Sequence, residues 1–193
     1  MISFLTQFLK EPRQTGAILP TANTLSDLIT DLADLKKAQM IVELGPGTGA
    51  FTERILLKKK AETKFLALEI NPVFVESLRR KYPTLSVIED SAEKLDKYLD
   101  QLGVIKCDRI VSGLPWASFK LNDQTKILNS ITQNLEVTGL FLTFAYIHAT
   151  FLPSGRRFKM ELQKRFSKVE ISKIIWSNFP PAFVYIARGV KNT

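Results

Sequence analysis

Apolar residues recur along this chain with two alternating periods. Short apolar runs over 38–44, 64–70, 85–89 and 108–112 are bounded by turn residues and predict buried strands. Between them, helical spacing predicts helices over 49–60, 72–81, 92–101 and 122–135, after an earlier helix of about fifteen residues from Thr24. A fifth strand over 140–147 leads to a helix over 155–166. Two last strands, 167–176 and 182–188, are joined through Asn178-Phe179-Pro180-Pro181. Five βα units and a closing hairpin predict an α/β fold. It is a mainly parallel seven-stranded sheet with helices on both faces and one antiparallel strand, forming a single domain over 1–193.

The first residues stand apart from this alternation. Ile2, Phe4, Leu5, Phe8 and Leu9 fall within about 160° of arc at ~100° per residue, which predicts an amphipathic helix over 1–14. Such a helix either packs on the domain surface or lies in a membrane interface with Lys10 and Arg13 near anionic headgroups. Residues 137–155 carry no Asp, Glu, Lys or Arg, nearly enough to span a bilayer. Gly139, Thr143, Tyr146, His148, Thr150 and Pro153 interrupt the run, so a buried strand suits it better.

Charge adds a constraint on partners. With 27 Lys+Arg against 19 Asp+Glu the net charge is +8, which predicts attraction to a polyanion, either nucleic acid or an anionic membrane. One cysteine, Cys107, excludes an internal disulfide and a zinc-ligand cluster, and its place before a strand predicts a buried, inert thiol. No metal is expected. The absence of a secretory leader makes the cytoplasm the expected compartment.

The chemistry concentrates at strand ends. The first strand closes in Glu43-Leu44-Gly45-Pro46-Gly47-Thr48-Gly49, followed at once by a helix. Glycines at such a turn let backbone approach a ligand closely. The spacing G-x-G-x-G differs from the dinucleotide G-x-G-x-x-G, which argues against a dehydrogenase, as does the lack of room for a second domain. Glu69 ends the second strand, where a carboxylate can accept both ribose hydroxyls of a nucleoside. Asp90 closes the third, where it can accept from an adenine amino group, with Ser91 and Ala92 beside it.

These three motifs resemble those of class I S-adenosylmethionine-dependent methyltransferases. The resemblance implies S-adenosylmethionine as cofactor and S-adenosylhomocysteine as product. It places Glu43 near the sulfonium and Gly45, Pro46, Gly47, Thr48 and Gly49 along the methionine. Glu69 and Ile70 fall at the ribose, and Asp90, Ser91 and Ala92 at the adenine. Ser112, Gly113 and Leu114 complete the cofactor set.

The fourth strand ends in Ser112-Gly113-Leu114-Pro115-Trp116. The chain is similar overall to the rRNA adenine dimethyltransferases. There an Asn or Asp precedes the apolar-Pro-aromatic triplet and accepts hydrogen bonds from the base amine. Gly113 stands in its place, and the chain lacks that family's C-terminal helical RNA-binding domain, so nucleic acid is not the expected partner.

A closer resemblance is to the bacterial phospholipid N-methyltransferases. It is carried by Gly16-Ala17-Ile18-Leu19-Pro20-Thr21, the glycine turn, Glu69-Ile70-Asn71-Pro72, Ser112-Gly113-Leu114-Pro115, Phe144-Ala145-Tyr146 and Asn178-Phe179-Pro180-Pro181-Ala182-Phe183-Val184-Tyr185. The Thr and following Gly expected around Tyr146 are absent. The resemblance implies methylation of phosphatidylethanolamine towards phosphatidylcholine by a monomer held peripherally at the inner face of a membrane. Between Arg156 and Lys173 seven basic residues face two acids, a local +5 suited to an anionic surface.

Tyr146, Ser112 and Trp116 are the expected catalytic residues, Tyr146 to orient the amine or relay its proton. Trp116, Tyr146, Phe179, Arg156 and Arg157 are the expected substrate contacts, one arginine holding the lipid phosphate. An aromatic wall of Trp116, Phe119, Tyr146, Phe179 and Tyr185 would suit a methylated, cationic head, although Phe119 and Tyr185 also read as core. His148, the only histidine, reads as a polar residue at a loop entrance or as a general base. Two other readings stay open, an RNA adenine methyltransferase and a non-catalytic module that keeps the fold.

Overall fold

The computed structural model describes residues 20–191. The predicted helix over 1–14 and the Gly16-Ala17-Ile18-Leu19 segment lie outside them.

The chain runs α1 (Pro20–Leu32), β1 (Met40–Leu44), α2 (Ala50–Lys58), β2 (Lys64–Glu69), α3 (Pro72–Lys81), β3 (Ser86–Glu89), α4 (Leu95–Gln101), β4 (Cys107–Ser112), α5 (Leu121–Asn134), β5 (Leu135–Tyr146), α6 (Pro153–Arg165), β6 (Phe166–Ile171) and β7 (Ala182–Val190). One seven-stranded sheet has the order β3-β2-β1-β4-β5-β7-β6, and β7 runs antiparallel to both of its neighbours. The fold class is as the alternation predicts.

Successive side chains on each strand enter opposite cores, and those two apart share one. Met40, Val42, Leu44, Leu66, Leu68, Ile110 and Phe141 meet Leu95, Leu99, Leu128, Ile131 and Leu162 of α4, α5 and α6 on one face. Ile41, Phe65, Ala67, Val111 and Leu142 meet Ile29, Ile55, Val75 and Leu78 of α1, α2 and α3 on the other. Both faces are covered, which is why the strands read as near-continuous apolar runs.

Several boundaries differ from expectation. α1 starts earlier and stops sooner than a fifteen-residue helix from Thr24, because Asp34 turns into the left-handed region (φ 49°) and a short 3₁₀ turn, Leu35–Lys37, follows. β5 begins five residues early, since α5 passes directly into it at Leu135. A register shift against β4 between Cys107 and Arg109 then absorbs the extra residues. The last hairpin is shorter in β6 than the predicted 167–176. From Ser172 the chain leaves the ladder, apart from one bridge between Ile175 and Ala182. No helix among the described residues is long and apolar enough to cross a membrane.

Candidate active site

The strand order reverses its direction of growth at β1 and β4, and their carboxyl ends open the crevice where such sheets bind ligands. The glycine turn leaves β1 there. Gly45, Gly47 and Gly49 all have positive φ (69°, 55° and 86°), which L side chains rarely adopt. A Cβ on Gly47 would meet nothing within 4 Å, so its backbone faces open space suited to a ligand.

Two carboxylates frame this turn. Glu69 is buried at the end of β2, accepting from the Gly47 N–H (3.0 Å) and the Asn71 N–H (2.9 Å). Its position therefore depends on the turn itself. Asn71 in turn caps α3, accepting from the Val73 N–H, with Pro72 in the first turn. Glu43 is fully buried, and its Oε2 accepts from Thr52 Oγ (2.7 Å) on α2. Its Oε1 has no partner. Burial, with a lesser contribution from the charge of Glu69, pushes its pKa up to about 8 against the pull of Thr52.

Asp90 follows β3. Its Oδ1 accepts from the Ser91 N–H (2.8 Å) and forms an ion pair with Lys94 (2.9 Å), while Oδ2 accepts from the Tyr98 hydroxyl (2.6 Å). Tyr98, Lys94 and the Ser91 amide together hold its carboxyl well below the usual carboxylate range. A carboxylate offers about four acceptor directions; three are taken by these bonds, and Lys97 stands 4.0 Å from Oδ2. Ser91 caps the turn that follows, and Ala92 is buried with its carbonyl accepting from Ser130. Ile70 is exposed beside Glu69. Pro46 is buried and Thr48 exposed within the turn.

This set fits S-adenosylmethionine: an open backbone cradle, a carboxylate at the nucleoside position and a buried, unpartnered carboxyl oxygen behind the turn. The profile of the ribosomal RNA adenine dimethylase family matches residues 3–147, three quarters of the chain. The chain belongs to that family. It is an S-adenosylmethionine-dependent methyltransferase.

Proteins named for different acceptors are similar to this chain. The ornithine lipid N-methyltransferase of Singulisphaera acidiphila is 29% identical over 193 residues, covering 98% of this chain and 96% of its own length. The ribosomal RNA small subunit methyltransferase A of Clostridium acetobutylicum is 30% identical over 108 residues. This chain covers 54% of itself and 37% of that protein in the match, so it spans well under half of such an enzyme. The N-methyltransferase NodS from Bradyrhizobium japonicum WM9, solved with S-adenosylhomocysteine, shares the fold. Its TM-score is 0.72 at 13% identity, with 97% of each chain covered.

On the acceptor side, the structure corrects several expectations. Trp116 is 3% exposed and lies in the core, stacked on Phe158 (4.4 Å) and edge-on to Phe119 and Phe141. Its indole N–H donates to Thr143 Oγ (3.0 Å). Its burial and its bond to Thr143 make it a brace for the loop after β4, where an exposed aromatic was expected. The Ser112 side chain is equally buried and accepts from the Leu114 N–H (3.2 Å), so its hydroxyl braces that loop. Tyr185 packs against Phe158 and Phe183 in the core. Phe179 is 86% exposed on the loop between β6 and β7, without a ring partner among the described residues. The expected aromatic wall therefore does not form.

Tyr146 keeps its place at the carboxyl end of β5. Its ring is half-buried, edge-on to Phe144 (5.3 Å) and stacked on exposed His148 (5.7 Å), and burial pushes its pKa up. A phenol held neutral in this way keeps its hydroxyl proton and is a poor base. Arg157 reaches Gln124 Oε1 at 3.5 Å, while the Arg156 side chain is exposed and unpaired among the described residues. Lys164 and Arg165 are tied to Glu161, and Lys168 to Glu170, so both acids of this segment are paired within it and its net +5 stands.

Thr143 is the residue that sequence reasoning missed. Its hydroxyl accepts from Trp116 and donates to the Ser112 carbonyl (3.0 Å), joining β5 to the loop after β4. A lone threonine in an apolar strand gives no local signal of that role. Thr52 and Tyr98, which fix Glu43 and Asp90, are legible only once the helices carrying them are placed.

Proposed function

We propose that this enzyme methylates the amine of a lipid headgroup. The observation that carries the reading is at Gly113. A Cβ there would lie 2.5 Å from the Gly45 carbonyl oxygen, so the Asn or Asp that holds an adenine amine has no room without moving the cofactor turn. The full-length similarity to an ornithine lipid N-methyltransferase supports the same acceptor class. Within it, phosphatidylethanolamine taken towards phosphatidylcholine is the reading favoured by the sequence motifs, with the amine of an ornithine lipid as the alternative acceptor.

S-adenosylmethionine supplies an electrophilic methyl carbon on a sulfonium. The protein's part is to hold an uncharged amine in line with it and to exclude water. Among the carbonyls from Ser112 to Trp116, that of Gly113 alone accepts no hydrogen bond among the described residues, so it is available to an amine N–H. Tyr146 supplies a second polar group from the neighbouring strand. The amine gives up one proton before attack, and the product cation leaves with the lipid.

The family match favours a second reading, methylation of an adenine in ribosomal RNA. Offering phosphatidylethanolamine liposomes, ornithine lipid liposomes and unmodified ribosomal RNA in parallel separates them. Methyl label in either lipid, counted by mass spectrometry, is the expected result, and label only in RNA overturns the lipid reading.

A further inference from the structure

Two loops extend past the carboxyl ends of β5 and β6, the same sheet edge as the glycine turn. They lie side by side, because the Ile147 N–H donates to the Pro181 carbonyl (3.0 Å). Each is internally braced: Thr150 Oγ donates to the Ile147 carbonyl, and Asn178 Nδ2 donates to the Pro180 carbonyl (2.6 Å) within the loop closed by the Ile175–Ala182 bridge. Despite this order they expose large apolar side chains. Phe151 is 66% exposed, Leu152 48%, Trp176 72% and Phe179 86%.

Single exposed apolar residues are ordinary, but four on two adjoining, hydrogen-bonded loops make a patch. Cations flank it. Arg156 lies in the first turn of α6, its N–H donating to the Leu152 carbonyl, and Lys173 follows β6. Neither pairs with an acid among the described residues, whereas Lys164, Arg165 and Lys168 do. Tryptophan beside lysine or arginine is the composition that settles at a bilayer interface, the ring at headgroup depth and the cation on anionic lipid.

We infer that this patch seats the enzyme on an anionic bilayer, with Phe151, Leu152, Trp176 and Phe179 entering the interface and Arg156 and Lys173 pairing with lipid phosphates. A bilayer, not a protein, is the occupant because the flanking charge and the whole chain (+8) are basic and three of the four exposed side chains are aromatic. The inference rests on the lipid reading above. Seating at this edge brings headgroups to the side of the sheet that carries the cofactor turn.

Trp176 reports on this directly, since Trp116 is buried. Vesicles of phosphatidylethanolamine and phosphatidylglycerol with brominated acyl chains should blue-shift and quench the emission of the wild-type protein. In Trp176→Phe, which retains only Trp116, the quenching should vanish. Phe151→Ser should weaken vesicle binding at least tenfold without changing S-adenosylhomocysteine affinity, and Lys173→Gln should flatten its salt dependence. Co-sedimentation with vesicles while Trp176 emission stays unchanged overturns the inference, as does the absence of vesicle binding at low salt. A change of oligomeric state in Phe151→Ser in place of a change in vesicle binding also overturns it and makes the patch a protein interface. Quenching without methyl transfer to any lipid leaves the surface standing and removes the acceptor reading. Methyl transfer to lipid in micelles with no Trp176 response does the reverse.

Discussion

The Gly45 carbonyl oxygen stands 2.5 Å from the point where residue 113 would place a Cβ, so the cofactor turn and the acceptor loop share one wall of backbone. The Gly113 N–H also donates to the Leu44 carbonyl (2.8 Å), holding the two segments together. Gly113→Ala therefore forces backbone apart. It should lower S-adenosylhomocysteine affinity at least tenfold in calorimetry and reduce the melting temperature. Gly113→Asn should do the same and gain no activity on ribosomal RNA. An alanine variant that binds the cofactor normally would show that the wall yields.

Glu69 organises the other side of the turn. Glu69→Ala removes the acceptor for the Gly47 and Asn71 N–H groups together with the carboxylate placed for the ribose. Hydrogen bonds to a charged group contribute about 1.5–3 kcal/mol each. Cofactor affinity should fall on the order of a hundredfold, measured by calorimetry, with the far-ultraviolet circular dichroism unchanged. Binding within threefold of wild type would remove Glu69 from the site.

Glu43 predicts a pH dependence. Its folded-state pKa of about 8 lies above the 4.5 of an ordinary glutamate, so between these values the folded protein keeps a proton that the unfolded chain releases. This contribution is fully present below about pH 4.5 and is lost as pH rises through about 8. In urea titrations, the stability of the wild type relative to Glu43→Gln should fall by on the order of 4 kcal/mol between pH 5 and 9. A constant difference across that window would mean that the carboxyl is ionised throughout.

Local chemistry made some of this legible in the sequence. The bounds of α3 follow from Asn71 as cap, Pro72 in the first turn and basic residues in the last. The glycine turn, Glu69 and Asp90 stand out because each sits where a strand stops. The early start of β5 was hidden because no turn separates it from α5. Trp116 misleads for a different reason. It lies in a loop beside the acceptor motif and reads as a surface aromatic, yet Phe141 and Phe158, from distant parts of the chain, close over it.

Thr143 ties these distant parts together, and its loss should be felt on both sides. Its hydroxyl is the partner of the buried Trp116 indole N–H and a donor to the Ser112 carbonyl. Thr143→Val keeps the shape but strands the indole donor, which costs about 1–3 kcal/mol. Trp116→Phe removes that donor along with ring volume. With Trp116→Phe already present, Thr143→Val leaves no indole stranded and should cost at least about 1 kcal/mol less than alone, measured as a double-mutant cycle of urea unfolding. Additive costs would mean that the two side chains stabilise the core separately. Coupling in stability accompanied by a fall in kcat at unchanged cofactor affinity would place Thr143 as the positioning residue of the acceptor loop.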